Sequence, residues 1–264
     1  MADIMFCQSG SEKGKTTMKI MVLNGNGFRG TRDWRRNTDG YEKEHHVINF
    51  CDFLDQTLGV QDVLIFSEFP CKSYNEKEKV WMESNIHLFA EKVITAGYRI
   101  LYPNHLIDAY QCTVAIVRKE CECWKRMEVD REKMIYDEQH SYGNELIELQ
   151  YGDTDITLLG VHMQTEEKMW DMVLDGISKN PYTFIAGDFK AYEYRGSMRY
   201  YPKRMRDAGY IPFIPSTVIT APDSESSIDN IYVNEKYKLK ENVLVQVKSA
   251  EGFITDHKLC IVEM

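Results

Sequence analysis

No apolar run in this chain of 264 residues approaches the roughly 20 residues that a membrane helix requires. The N-terminus lacks the positively charged start, apolar middle and small-residue cleavage site of a secretory leader, so the expected compartment is cytoplasmic. Cysteine is sparse and unpaired in pattern: there are seven, an odd number, with only Cys121 and Cys123 close together, facing the same way if they lie in a strand. No second cysteine or histidine pair stands at ligand spacing, which argues against zinc, and the scatter suits reduced thiols better than a disulfide framework. Basic charge is also in deficit, with 32 Lys and Arg against 41 Asp and Glu, a net charge of −9. Duplex binding driven by general phosphate neutralisation gains little from such a balance. A local basic groove is still compatible with it. So is an acidic active site, which lowers the sum without excluding a phosphate substrate once metal is bound.

What is present is the composition of an ordinary globular protein, 43% hydrophobic and 12% aromatic, in a chain long enough for a sizeable core. Residues 1–17 read as a flexible extension or expression remnant, and residues 18–264 as one catalytic domain without an internal linker. Ser9 to Thr16 (SGSEKGKT) approaches a P-loop, but Ser9 stands where the first glycine belongs. A P-loop opens a helix, whereas Met18 to Leu23 reads as a strand leading into Asn24-Gly25-Asn26-Gly27.

Periodicity predicts a helix over His45 to Leu58 and a buried strand over Asp62 to Phe66, closing on Ser67-Glu68. A charged stretch follows, then a helix from Trp81 to Ala96 ended by Gly97. Strands are expected at Tyr98 to Tyr102, Thr113 to Arg118 and Cys121 to Val129. Glu145 to Tyr151 and Asp155 to His162 read as a hairpin turning at Gly152-Asp153. Helices are expected near Glu166 to Lys179 and Ser197 to Ala208. Strands complete the chain at Tyr182 to Ala186, Ser227 to Val233, Val243 to Ser249 and Leu259 to Glu263. Alternating helices and strands with hairpins predict two packed sheets with helices outside.

Several strand ends carry hard ligands, hydrogen-bond donors or imidazoles: Asn24, Glu68, His162, Asp188, Asp229 and Asp256-His257. Asp188 follows an apolar run that reaches Gly187, where a tight turn is expected. Each residue alone has an ordinary reading. Asn24 and Asp256 suit turns, Glu68 a solvated strand end, His162 a core imidazole and Asp188 a cap. It is the ordered set that points to chemistry, since carboxylates at strand ends hold hard cations or a reacting water.

That order resembles the endonuclease/exonuclease/phosphatase superfamily, the deoxyribonuclease I-like metal-dependent phosphoesterases, over nearly all of residues 18–264. MKIMVLNGNG is similar to the opening asparagine strand and DVLIFSE to the strand with the metal-binding glutamate. GVHMQT resembles the histidine strand of the deoxyribonuclease and sphingomyelinase branches. FIAGDFKAY is similar to the GDFN motif, SIDNIYV to the aspartate strand and TDHKLCIVEM to the closing SDH strand. The resemblance implies a four-layer α/β sandwich of two mostly antiparallel β-sheets flanked by helices. It also implies hydrolysis of a phosphate ester with Mg²⁺, or Mn²⁺ in its place.

Carried over by position, Glu68 is the principal metal ligand, with Asn24 near it and Asp256 a further ligand. Asp229 orients His257 at the scissile phosphate, Asp188 aligns or deprotonates the attacking water, and His162 is a second phosphate contact or the acid toward the leaving group. The departure is Lys190, where the family has asparagine. Lysine offers donors and charge without an amide's directed geometry. It can serve the catalytic site by binding phosphate, pair with Asp188 and lower its basicity, or compete with metal. This residue is what makes a degenerate, non-catalytic member the alternative to altered activity.

Nucleic acid is the expected substrate. Asn26, Arg29 and Arg32 are candidate contacts, with Trp34, Arg35 and Arg36 beside them. A second cluster, Arg195, Arg199, Tyr200, Tyr201, Lys203, Arg204 and Arg206, reads at least as well as solvated helix and loop surface. The short interval from Asp188 to Asp229 leaves room for one helix and loops, which argues against the long duplex-probing insertions of abasic-site endonucleases. The alternatives are a phosphoesterase acting on a small or lipid head-group phosphate, and a binding protein of the same fold without turnover.

Overall fold

The computed structural model describes residues 17–26, 44–70, 73–75, 80–82, 84–103, 111–127, 142–190, 201–222, 225–237, 243–250 and 255–264. Its elements in chain order are β1 (Lys19–Asn24), α1 (Glu44–Thr57), β2 (Val63–Pro70), β3 (Ser73–Asn75), β4 (Val80–Met82) and α2 (Ser84–Thr95). These are followed by β5 (Tyr98–Leu101), β6 (Gln111–Arg118), β7 (Trp124–Arg126), a 3₁₀ turn (Tyr142–Glu145), β8 (Leu146–Tyr151) and β9 (Thr157–His162). The remainder is α3 (Glu167–Lys179), β10 (Phe184–Asp188), α4 (Tyr201–Asp207), β11 (Tyr210–Pro212), β12 (Asp229–Asn234), β13 (Leu244–Lys248) and β14 (Leu259–Glu263).

The strands form two six-stranded sheets, β13-β14-β1-β2-β6-β5 and β11-β12-β10-β9-β8-β7, with β3 and β4 as a separate ribbon. Each large sheet has one parallel pair, β1 with β2 and β9 with β10, and is otherwise antiparallel. Apolar side chains fall into three clusters. The middle one, with Ile20, Val22, Ile65, Ala186, Ile231 and Val262, lies between the sheets. Phe50, Phe53 and Leu54 of α1 and Val93 of α2 cover the outer face of the first sheet, and Met169, Trp170 and Val173 of α3 cover that of the second. This is the expected four-layer α/β sandwich. Among the described residues no helix is long and apolar enough to cross a membrane.

Side chains alternate across a strand, and that parity places the site. Ile20 and Val22 of β1 face the other sheet, as do Phe184 and Ala186 of β10 and Ile231 and Val233 of β12. Two residues further along the same face of each strand come Asn24 and Asp188, and two before Ile231 comes Asp229. The register then sets these ends side by side: Asn24 opposite Ser67, and Asp188 flanked by His162 and Asp229.

Several boundaries differ from the sequence expectation. β10 runs through Gly187 and ends on Asp188, so there is no turn at Gly187. A glycine is required there for another reason: its φ is +151°, and a Cβ would lie 1.8 Å from the Val161 carbonyl oxygen. The strand expected at Cys121 to Val129 shrinks to Trp124–Arg126, leaving Cys121 and Cys123 outside it, the first buried and the second half-buried. Ser9 to Thr16, which falls short of a P-loop, lies outside the described residues, and the chain after it enters a strand.

Candidate active site

Glu68 reaches the site through an irregularity. Parity along β2 would turn it to the outer face, but the β2–β6 register slips between Phe66 and Phe69 and Glu68 takes a φ of +55°. A bulge of this kind re-aims a side chain. Lys190 (φ +45°) and Asn26 (φ +47°) share the left-handed backbone; asparagine tolerates it, so Glu68 and Lys190 bear its cost of about 1 kcal/mol or more each.

Asn24 joins the two sheets. Its Nδ2 donates to Glu68 Oε1 at 3.2 Å and to Asp188 Oδ2 at 2.9 Å, while its Oδ1 accepts the Asn26 N–H at 2.8 Å. Asp188 is completely buried, and its other oxygen accepts the Lys190 N–H at 2.8 Å. Both oxygens of this carboxylate are therefore fixed in direction. Asn26 is half-buried beside it.

Glu68 is ringed by donors and cations. Gln111 Nε2 lies 3.4 Å from Oε2, while His162 Nε2 at 3.5 Å and Lys190 Nζ at 3.9 Å approach Oε1. Burial alone would raise the Glu68 pKa. The hydrogen bond and charge of His162, followed by Lys190 and Asn24, outweigh it and hold the carboxyl well below the usual range.

Behind His162 stands a residue the sequence did not single out. Glu145 Oε2 lies 2.6 Å from His162 Nδ1, and Gln164 Nε2 donates to Glu145 Oε1 at 3.1 Å. Burial disfavours an imidazolium here, but the Glu145 charge and bond, with Glu68 on the other nitrogen, push His162 up to about 10. Its Nε2, the only ring nitrogen not bonded to Glu145, faces Glu68 and also lies 3.9 Å from Asp188 Oδ2.

The opposite flank repeats the arrangement. His257 Nδ1 lies 2.8 Å from Asp229 Oδ2, and its Nε2 lies 3.9 Å from Asp256 Oδ1. Thr220 Oγ1 accepts the N–H groups of Ile228 and Asp229, holding the start of β12, and Thr255 Oγ1 donates to the Asn24 carbonyl at 2.7 Å. Burial opposes charge on His257, yet Asp229, Asp188 and Asp256 together push it up to about 10. Burial raises Asp229 as well, so this pair keeps its proton across neutral pH.

The structure thus brings Asn24, Glu68, His162, Asp188, Lys190, Asp229, Asp256 and His257 to one end of the sandwich. Arg29 and Arg32, with Trp34, Arg35, Arg36, Arg195, Arg199 and Tyr200, lie outside the described residues. In the second basic cluster Lys203 pairs with Asp207 at 2.8 Å and Arg204 with Asp171 at 2.5 Å, which favours the solvated-surface reading for both.

One group of three metal-ligating side chains occurs among the described residues: Asp188, Asp229 and His257, with ligand atoms within 4.8 Å of one another. An imidazolium repels a cation, so this group reads as an Asp–His pair facing a carboxylate. The donor set nonetheless fits a hard dication. Carboxylates outnumber cationic side chains in the site, Asp229 Oδ1 is buried without a hydrogen-bond partner, and the Glu68 side chain keeps 17% of its surface open.

Comparison with models of known protein families finds none that matches, and comparison with curated protein sequences finds no relative. Solved structures do match. The endonuclease domain of TRAS1, a telomere-specific non-LTR retrotransposon, aligns with a TM-score of 0.59 at 9% identity, over 94% of this chain and 98% of that one. D. rerio TDP2 complexed with a single-strand DNA product gives 0.57 at 14%, over 94% and 99%. An endonuclease/exonuclease/phosphatase family protein from Bacteroides thetaiotaomicron gives 0.55 at 13%, over 94% and 97%. The chain has the fold of these proteins.

Proposed function

We propose that this chain is a divalent-metal-dependent phosphodiester hydrolase acting on nucleic acid, with water attacking the phosphorus in line. The observation that carries the reading is Asp188: a wholly buried carboxylate with both oxygens directed, set between two carboxylate-held imidazoles. Glu68 would hold Mg²⁺ or Mn²⁺, with Asn24 beside it and Asp256 as a further ligand. When bound, the cation supplies charge neutralisation at a phosphoryl oxygen.

The side chains divide the remaining work. Asp188 orients the water and takes its proton as the new P–O bond forms. His257, kept cationic by Asp229, donates Nε2–H to a non-bridging oxygen. His162 contacts the phosphate through Nε2 and passes a proton to the departing oxygen as the ester bond breaks. Asn26, and Arg29 and Arg32 beyond it, would contact the substrate. The fold likeness to an endonuclease domain and to a protein solved with a single-strand DNA product favours nucleic acid over a small phosphate ester.

The decisive experiment incubates the protein with supercoiled plasmid, single-stranded DNA, RNA and a panel of phosphate monoesters, each with Mg²⁺, Mn²⁺ or EDTA. Metal-dependent cleavage of a nucleic acid that Asp188→Asn lowers at least about a hundredfold supports the reading. Turnover of monoesters alone moves the substrate to small phosphates. A second reading, a binding protein without turnover, draws on Lys190 Nζ lying 3.9 Å from Glu68. It is favoured if no substrate is cleaved and Lys190→Asn restores cleavage.

A further inference from the structure

Lys190 is placed at the site by the backbone. The Lys190 N–H donates to Asp188 Oδ1 two residues back, closing a turn of the kind an aspartate side chain makes with its own chain. The left-handed φ of +45° goes with that turn. Asparagine occupies this conformation readily, whereas a lysine there bears strain, so the residue with the unfavourable backbone is also the one that brings a cation to Glu68. Its ammonium lies 3.9 Å from Glu68 Oε1, with 23% of the side chain open to solvent. His162 and Asn24 approach the same carboxylate oxygen, so Oε1 is already charge-compensated by the protein itself.

We propose that Lys190 is a resident counter-cation that competes with the divalent metal for the Glu68 carboxylate. This rests on the reading of Glu68 as the principal metal holder. A dication entering beside Oε1 meets a like charge at close range, and like charges a few ångströms apart repel strongly at the edge of a protein. The ammonium sits on a flexible four-carbon stem, so it yields by rotation rather than by rebuilding the site. Metal therefore loads against the withdrawal of Lys190. A neutral side chain of similar length removes that opposition, and an arginine preserves it.

The test is direct Mn²⁺ binding, read as unbound Mn²⁺ by electron paramagnetic resonance and as heat by titration calorimetry. Wild type, Lys190→Met, Lys190→Arg and the double variant Lys190→Met/Glu68→Gln are compared, each shown to be folded by its melting transition in EDTA. The expected result is Mn²⁺ affinity at least about tenfold tighter in Lys190→Met and close to wild type in Lys190→Arg. Equal or weaker binding in Lys190→Met overturns the competition. If Lys190→Met tightens and the added Glu68→Gln leaves affinity unchanged, the metal lies elsewhere, and it is the Glu68 reading that fails.

Discussion

Two carboxylate–imidazole pairs flank Asp188, and they differ in what lies beyond the imidazole. Glu145–His162 passes its charge to another carboxylate, since His162 Nε2 faces Glu68, and Lys190 adds a second cation to that flank. Asp229–His257 has carboxylates on both sides, Asp188 and Asp256. The same pair of residue types thus serves two ends. One flank is a neutralised holder for Glu68. The other is rich in negative charge and carries a single protonated ring. Fold geometry alone does not set a residue's role; the next charge along does.

The largest effect that would test this contrast is on turnover. His257→Gln is expected to lower kcat/KM on a cleavable nucleic acid about 10²–10⁴-fold with the melting temperature little changed. A loss below tenfold would remove His257 from the groups that contact the phosphate.

Next comes stability. Glu145→Ala leaves a buried imidazole without its partner and is expected to cost about 3 kcal/mol in urea unfolding, the low end for breaking a buried pair. It should also bring the His162 pKa down toward the ordinary range, visible by NMR. An unchanged His162 titration would show that Glu68 alone sustains the charge.

The pH dependence follows with a definite sign. Both imidazoles are raised in the folded chain to about 10, above the unfolded value near 6.5. Their stabilisation is complete below about pH 6.5 and is lost as pH rises through about 10. Melting temperatures in EDTA should therefore fall steadily between pH 7 and pH 10, and less steeply in His162→Gln. Stability that instead rises over that interval contradicts both ion pairs.

The smallest effect lies outside both flanks. Lys203→Ala removes an exposed i,i+4 pair with Asp207 and should shift stability by no more than about 0.5 kcal/mol, with no change in cleavage. A fall in cleavage would return the second basic cluster to the substrate surface.

Much of this site is legible in the sequence because an apolar run followed by one polar residue marks a strand end, and parity carries that residue to the inner face. Asn24 and Asp188 follow that logic, and Asp229 mirrors it at the start of β12. Glu68 does not, since a bulge in β2 reverses its facing, and no pattern in VLIFSEFP announces the bulge. Glu145 is hidden in the sequence for a related reason. A tight turn at Gly152-Asp153 would set His162 opposite Gly143, but the loop between β8 and β9 is wider, and Leu146 pairs with Val161. Two residues of turn length thus decide which side chain meets the imidazole. The three-residue strands β3, β4 and β11 are too short for any periodicity to show.

The Asn24 amide has a consequence for how the protein fails. It bridges Glu68 on one sheet and Asp188 on the other, contacts separated by 44 and 164 positions in the chain, while the Asn24 backbone carbonyl accepts from Thr255, 231 positions away. Neither sheet alone contains a site, and no single segment of the chain encodes one. A disturbance that parts the sheets at this end, even one remote from every charged residue, dismantles the whole constellation in one step. Activity should therefore behave as a switch on the docking of two layers and vanish while most of the secondary structure persists.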